Sequence, residues 1–156
     1  MADAPAGKNT ASPKTAQVES PPRKQPIKVL LAEDNPVVRR GLNNFVKKWG
    51  YEPVEAENGD DAWQILENDP SIRLAILDWN LPGLSGMQVC QRLRTKRPIP
   101  YVYALIFSAR KSDAEQVLAL EGGADDYLVK PAKPSLLCAR LGVGQRIIEI
   151  ALGQGK

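Results

Sequence analysis

The chain has 156 residues, 43% of them hydrophobic, which suffices for one domain with a real core and is too few for two ordinary ones. Its 21 lysines and arginines against 18 aspartates and glutamates leave a net charge of +3, too mild to argue for nucleic acid or insertion at an acidic membrane, both of which want a concentrated basic patch. Histidine is absent, which excludes His-based acid–base catalysis and the commonest zinc sites.

Residues 1–26, "MADAPAGKNTASPKTAQVESPPRKQP", are rich in Ala, Pro, Ser, Thr and Lys; beyond Met1, Val18 is the only large apolar side chain. Such a segment cannot bury enough surface to offset its ordering entropy, so a disordered, solubilising tail is expected. From Ile27 the character changes. "IKVLLAED" reads as a buried strand, and "NPVVRRGLNNFVKKWG" as a helix started by Asn35-Pro36 and stopped at Gly50. "YEPVEAE" is a weaker strand whose Pro53 suggests a sheet edge, and "NGDDAWQILEND" a second helix. "SIRLAILD" is a third strand; "SGMQVCQRLRTK" is helical, with Ser85 as N-cap. "PYVYALIFSA" is a fourth strand, "KSDAEQVLALEGG" a helix closed by glycines, "ADDYLVK" a fifth strand and "KPSLLCARLGVGQRIIEIAL" a last helix. The expected organisation is a tail over 1–26, a domain over 27–152 and a short tail over 153–156.

Cys90 and Cys138 stand far apart with no metal-ligand spacing, which fits a reducing cytoplasm and argues against a disulfide framework. No apolar run approaches a membrane span, and the N-terminus lacks a signal-like hydrophobic region. Five alternations of strand and helix predict an α/β fold with a five-stranded parallel sheet and helices on both faces. The common strand order for such a chain is 2-1-3-4-5, with the ligand crevice at the carboxyl ends of strands 1 and 3.

Polar residues end the strands on that edge: Glu33 and Asp34 after strand 1, Asp78 after strand 3, Ser108 after strand 4 and Lys130 after strand 5. Converging carboxylates repel one another unless a cation sits among them, and oxygen ligands alone select a hard ion such as Mg2+. A lysine and a hydroxyl opposite them suit a group that brings negative oxygens, a phosphoryl group above all. Each residue also has a plainer reading. Glu33 and Asp34 could favour the first helix dipole, Asp78 could start a turn, Ser108 could bond backbone, and Lys130 could be a surface lysine. Together those readings require four coincidences on one edge.

"LLAEDNP", "LDWNLPGLSG", "IFSA" and "DYLVKP", with the intervals between them, resemble the receiver domain of bacterial two-component response regulators, chemotaxis-type receivers in particular, over residues 27–152. The resemblance implies a flavodoxin-like fold. It implies that Asp78 accepts a phosphoryl group from a phosphohistidine on a sensor histidine kinase or phosphotransfer protein. Mg2+ would be bound by Asp34, Asp78, the backbone carbonyl of Asn80, and Glu33 directly or through water. Ser108 matches the switch hydroxyl, Lys130 the lysine that pairs with a phosphoryl oxygen, Pro131 the proline that often follows through a cis bond, and Tyr127 the aromatic whose rotamer follows the hydroxyl. Such a domain is a phosphorylation-regulated signalling element, catalysing only its own phosphoryl transfer and autodephosphorylation.

Glu33 stands where the family more often has aspartate, and Asn80 and Arg110 occupy positions that look over the phosphoryl group, so Arg110 is expected to modulate its lifetime. Tyr101 and Tyr103 suggest only core packing. The last helix resembles that of receivers feeding a further domain. The expected partner is therefore a downstream protein target or output domain, through residues 124–150, a surface that also serves homodimers. The chain reads either as a stand-alone receiver or as a piece of something longer. Three alternatives stand beside this: a phosphorylation-independent receiver-like adaptor, which the complete set of site residues opposes; an aspartyl-phosphate phosphatase, which usually carries its nucleophile after the first strand; and an FMN carrier, whose phosphate "EDNP" would repel.

Overall fold

The structure is a computed structural model that describes residues 25–98 and 100–154; most of the expected N-terminal tail lies outside the described residues. The elements are β1 (Lys28–Ala32), α1 (Pro36–Lys48), β2 (Glu52–Ala56), α2 (Gly59–Asn68), β3 (Leu74–Leu77), α3 (Gly86–Lys96), β4 (Tyr103–Ser108), α4 (Asp113–Glu121), β5 (Asp126–Val129) and α5 (Pro134–Gln154). The five strands form one sheet in the order β2-β1-β3-β4-β5, every pairing parallel, as the alternation predicts. Strands are shorter than the apolar runs suggest, because the ladder stops before the terminal charges: β1 ends at Ala32 and β3 at Leu77. At the other end, α5 runs to Gln154, two residues into the segment read as a C-terminal tail.

The strands alternate between two buried layers, as a period of two requires. Leu30, Ala32, Ala75, Leu77, Ala104 and Ile106 pack with Ala62, Leu66, Val89, Leu93 and Ala119 from α2, α3 and α4. Val29, Leu31, Leu74, Ile76, Leu105 and Phe107 pack with Leu42, Val46, Leu137 and Leu141 from α1 and α5. Burial on both faces explains why β1, β3 and β4 read as continuous apolar runs. β2 lies at the edge, where Pro53 pairs with Val29. Tyr103 is buried, and its ring fills the space that a Cβ at Gly144 would need, 2.5 Å away, so α5 sits close on β4.

Helix starts are set locally and fix the loops that matter. Asn35 Oδ1 accepts from the Val37 and Val38 N–H groups at 2.9 and 3.2 Å, with Pro36 in the first turn of α1. Ser85 and Gln88 form a capping box at α3. There Gly86 lies so close to the end of β3 that a Cβ would come within 2.1 Å of the Asp78 carbonyl oxygen. The start of α3 therefore presses directly on the peptide of Asp78. Among the described residues, no helix is long and apolar enough to cross a membrane.

Candidate functional site

Because β1 and β3 are neighbours, the residues that leave them are neighbours too. The Asp78 N–H donates to the Ala32 carbonyl at 3.0 Å, one step beyond the ladder. Glu33, Asp34 and Asp78 thus each offer a carboxylate oxygen within 4.8 Å of the others. Glu33 is buried, Asp78 half-buried and Asp34 exposed, so the group opens to water on one side.

Lys130 reaches this group from the end of β5, across β4. Its Nζ donates to Glu33 Oε1 at 2.6 Å and Asp78 Oδ2 at 3.0 Å, and lies 5.5 Å from the centre of the Phe107 ring. Its own N–H donates to the Ser108 carbonyl at 2.9 Å, and the Lys130–Pro131 bond is cis. Burial pushes the Glu33 carboxyl above its ordinary value, against the opposing bonds from Lys130 and the Asn35 N–H. Burial alone would lower Lys130, but its bonds to Glu33 and Asp78 outweigh that and hold its ammonium above the usual range. The lysine is charged at neutral pH and compensates the carboxylates.

A second group forms the rim. Asn80 donates its N–H to Asp78 Oδ1 at 3.2 Å, and its side-chain oxygen accepts from Arg110 Nη2 and Nε at 2.7 and 3.1 Å. Arg110 also donates to Glu115 Oε2 at 3.0 Å and lies 4.7 Å over the Trp79 ring. Ser108 is fully buried at the end of β4, where its hydroxyl accepts the Arg110 N–H at 3.3 Å. Tyr127 is buried, its hydroxyl donating to the Arg110 carbonyl at 2.7 Å and its ring edge-on to Trp79.

The structure brings Glu33, Asp34, Asp78 and Lys130 into one cluster and links Asn80, Ser108, Arg110 and Tyr127 around it. Sequence reasoning missed Glu115 and Arg39. The first carried a signal in Ser112-x-x-Glu115, whose serine caps α4. The second carried none, because its carboxylate partners, Glu55 and Glu57, come from β2 and the residue just past it, more than a dozen positions along the chain.

Three oxygen donors, one water-facing side and no nitrogen or sulfur ligand in the cluster fit a hard divalent cation such as Mg2+. An acidic crevice with a fixed ammonium, at the carboxyl ends of the central strands of a 2-1-3-4-5 sheet, places the site at the topological switch point of a flavodoxin-like fold. Comparison with known families matches residues 29–142 to the response regulator receiver domain. The chain belongs to this family, the signalling domain of two-component response regulators. It is 31% identical to the chemotaxis protein CheY1 of Helicobacter pylori over 118 residues, 75% of this chain and 95% of that protein. It is 36% identical over 126 residues to the phosphate regulon transcriptional regulatory protein PhoB of Escherichia coli, covering 80% of this chain and 55% of PhoB. Among solved structures, the BeF3-activated N-terminal receiver domain of Klebsiella pneumoniae RstA aligns with TM-score 0.70 at 31% identity, over 76% of this chain and 98% of that one. A CheY-like receiver domain protein of Methanospirillum hungatei aligns at 0.72 with 21% identity, over 83% and 99%, a likeness of fold alone.

Proposed function

We propose that Asp78 is the phosphoacceptor of a two-component signalling pathway. One observation carries this reading: a lysine ammonium donates to Asp78 and Glu33 together, beside a third carboxylate open to water. An Asp78 carboxylate oxygen attacks the phosphorus of a phosphohistidine on a sensor kinase or phosphotransfer protein. The N–P bond breaks, the imidazole leaves, and an acyl phosphate remains on Asp78. Glu33, Asp34, Asp78 and the Asn80 carbonyl would hold Mg2+, which when bound neutralises charge on the transferring group. Lys130 turns from Glu33 to a phosphoryl oxygen, and the Ser108 hydroxyl donates to another.

Tyr127 already stands inward, so the phosphoryl group stabilises this arrangement rather than creating it. The readout passes through β4 and α4 to the surface over residues 124–150, where a downstream target, an output domain or a second copy docks. The protein works in the cytoplasm, the compartment of a CheY-like signal. The N-terminal tail solubilises the domain.

Trp79 tests this, since it follows Asp78 and lies against Arg110 and Tyr127. Its fluorescence should change on adding MgCl2 and again on adding acetyl phosphate. The second change should vanish in Asp78→Asn, which keeps all three tryptophans and so controls for emission from Trp49 and Trp63. A response to Mg2+ with none to phosphodonor, from acetyl phosphate or from a kinase, favours the phosphorylation-independent adaptor.

A further inference from the structure

The loop between β1 and α1 carries two of the three carboxylates, and one side chain grips its backbone from behind. Arg39 Nη1 donates to the Glu33 carbonyl at 2.7 Å and to the Asp34 carbonyl at 3.5 Å. Its Nε donates to Glu55 Oε1 at 3.1 Å, and its Nη2 lies 3.6 Å from Glu57 Oε2. Glu55 belongs to β2 and is itself held by Asn43 Nδ2 at 2.6 Å. The Arg39 side chain is only 12% exposed, while the adjacent Arg40 is exposed.

A solvent arginine in a single ion pair holds no fixed geometry and contributes little. A planar fork with hydrogen bonds to three acceptors and an ion pair to a fourth, from two chain segments, is different, because each contact restricts the others. The two carbonyls are engaged by Arg39, while the Glu33 and Asp34 carboxylates join Asp78. Glu33 Oε2 also accepts the Asn35 N–H at 3.1 Å, so the loop is tied from the helix cap as well. Lys130 supplies one positive charge against three carboxylates, so repulsion remains until a cation arrives, and a loose loop would let two of them recoil. Groups that orient ligands are typically worth roughly 10–100-fold in metal affinity.

We infer that Arg39 is a positioning residue for cation binding, fixing the Glu33–Asp34 backbone against Glu55 and Glu57 so that both carboxylates stay turned to Asp78. This rests on the reading of Glu33, Asp34 and Asp78 as cation ligands. Arg39 touches neither the cation nor the phosphoryl group; it sets how much loop ordering remains to be done when the ion binds.

The test is calorimetric titration of the full chain with MgCl2, alongside melting temperature in EDTA, for wild type, Arg39→Ala, Arg39→Lys and Glu55→Gln. Arg39→Ala should weaken Mg2+ binding roughly tenfold or more. Arg39→Lys should recover only part, since a point ammonium cannot serve the Glu33 carbonyl and Glu55 with one fork. Glu55→Gln should shift affinity in the same direction by less. Should Arg39→Ala fail to fold, the other two variants decide. Folded variants that lose melting temperature but bind Mg2+ within twofold of wild type overturn the inference, leaving Arg39 a stabilising contact. A wild-type chain that binds no Mg2+ overturns the cation reading itself, and with it this inference.

Discussion

Lys130→Met keeps the apolar stem and deletes the ammonium between Glu33 and Asp78. That ammonium donates at 2.6 and 3.0 Å, and the side chains involved are 19% (Lys130), 3% (Glu33) and 12% (Asp78) exposed. Removing it leaves two close carboxylates that have lost solvent and lost their partner. Breaking a buried pair in this way costs 3–5 kcal/mol; with water reaching the Asp34 side, about 3 kcal/mol is expected. For a chain of this size that is a melting temperature lower by roughly 6–12 °C. Urea unfolding in EDTA measures it directly. A second arm separates charge from packing: MgCl2 should stabilise the variant more than wild type, because a cation then supplies the missing positive charge. A loss below about 1 kcal/mol in EDTA, the range of exposed pairs, would mean that Lys130 behaves as a surface lysine and that the cluster is not electrostatically coupled.

Three further outcomes follow from other parts of the molecule. The Ser71 hydroxyl at 2.6 Å, with Lys28 at 2.9 Å, holds the Asp69 carboxyl at about 2. A depressed carboxyl pKa adds stability that is present above the unfolded value near 3.9 and is lost as pH falls through the folded one. Ser71→Ala should therefore be less stable than wild type above about pH 4, by under about 1 kcal/mol given the exposure of the site, and the two acid-unfolding curves should merge near pH 2; a gap that persists there refutes the assignment. In α5, Gly144→Ala would place a Cβ 2.5 Å from the Tyr103 ring, whereas nothing lies within 4 Å of a Cβ at Gly142. Gly144→Ala should thus destabilise by about 1–3 kcal/mol and Gly142→Ala stabilise by about 0.5–1 kcal/mol, and melting curves of the same sign for both would contradict the packing described. Arg110→Ala frees Asn80 and uncovers the rim, so the acyl phosphate should decay at a different rate; equal decay in a phosphate-release assay removes Arg110 from that role.

The fold was legible because two-face burial leaves a plain mark: the cores of β1, β3 and β4 are almost wholly apolar, and the helices between them carry their caps in Asn35, Asn58, Ser85 and Ser112. The cluster was legible for the same reason, since Glu33, Asp34, Asp78, Ser108 and Lys130 stand at or just past strand ends, and topology places those ends side by side. The roles assigned to these side chains came from the family resemblance rather than from spacing. What stayed hidden depends on contacts between distant segments. Arg39 finds Glu55 across 16 residues, and Arg110 finds Asn80 across 30. Tyr103 packs in the core as expected, but the acids that both tyrosine hydroxyls reach were not foreseeable: Tyr101 donates to Asp125, which also receives Arg94, and Tyr103 donates to Asp126 at 3.4 Å. Periodicity shows which face a residue occupies; it carries no information on which polar group waits there.

Phosphoryl acceptance at Asp78 is the claim on which the rest depends, and intact-mass spectrometry after incubation with acetyl phosphate tests it most directly. With MgCl2 present, the wild-type chain should gain the mass of one phosphoryl group, while EDTA or the Asp78→Asn substitution should abolish the gain. Equal modification of the folded Asp78→Asn chain, or no modification of wild type by acetyl phosphate or by a histidine kinase, would contradict the account.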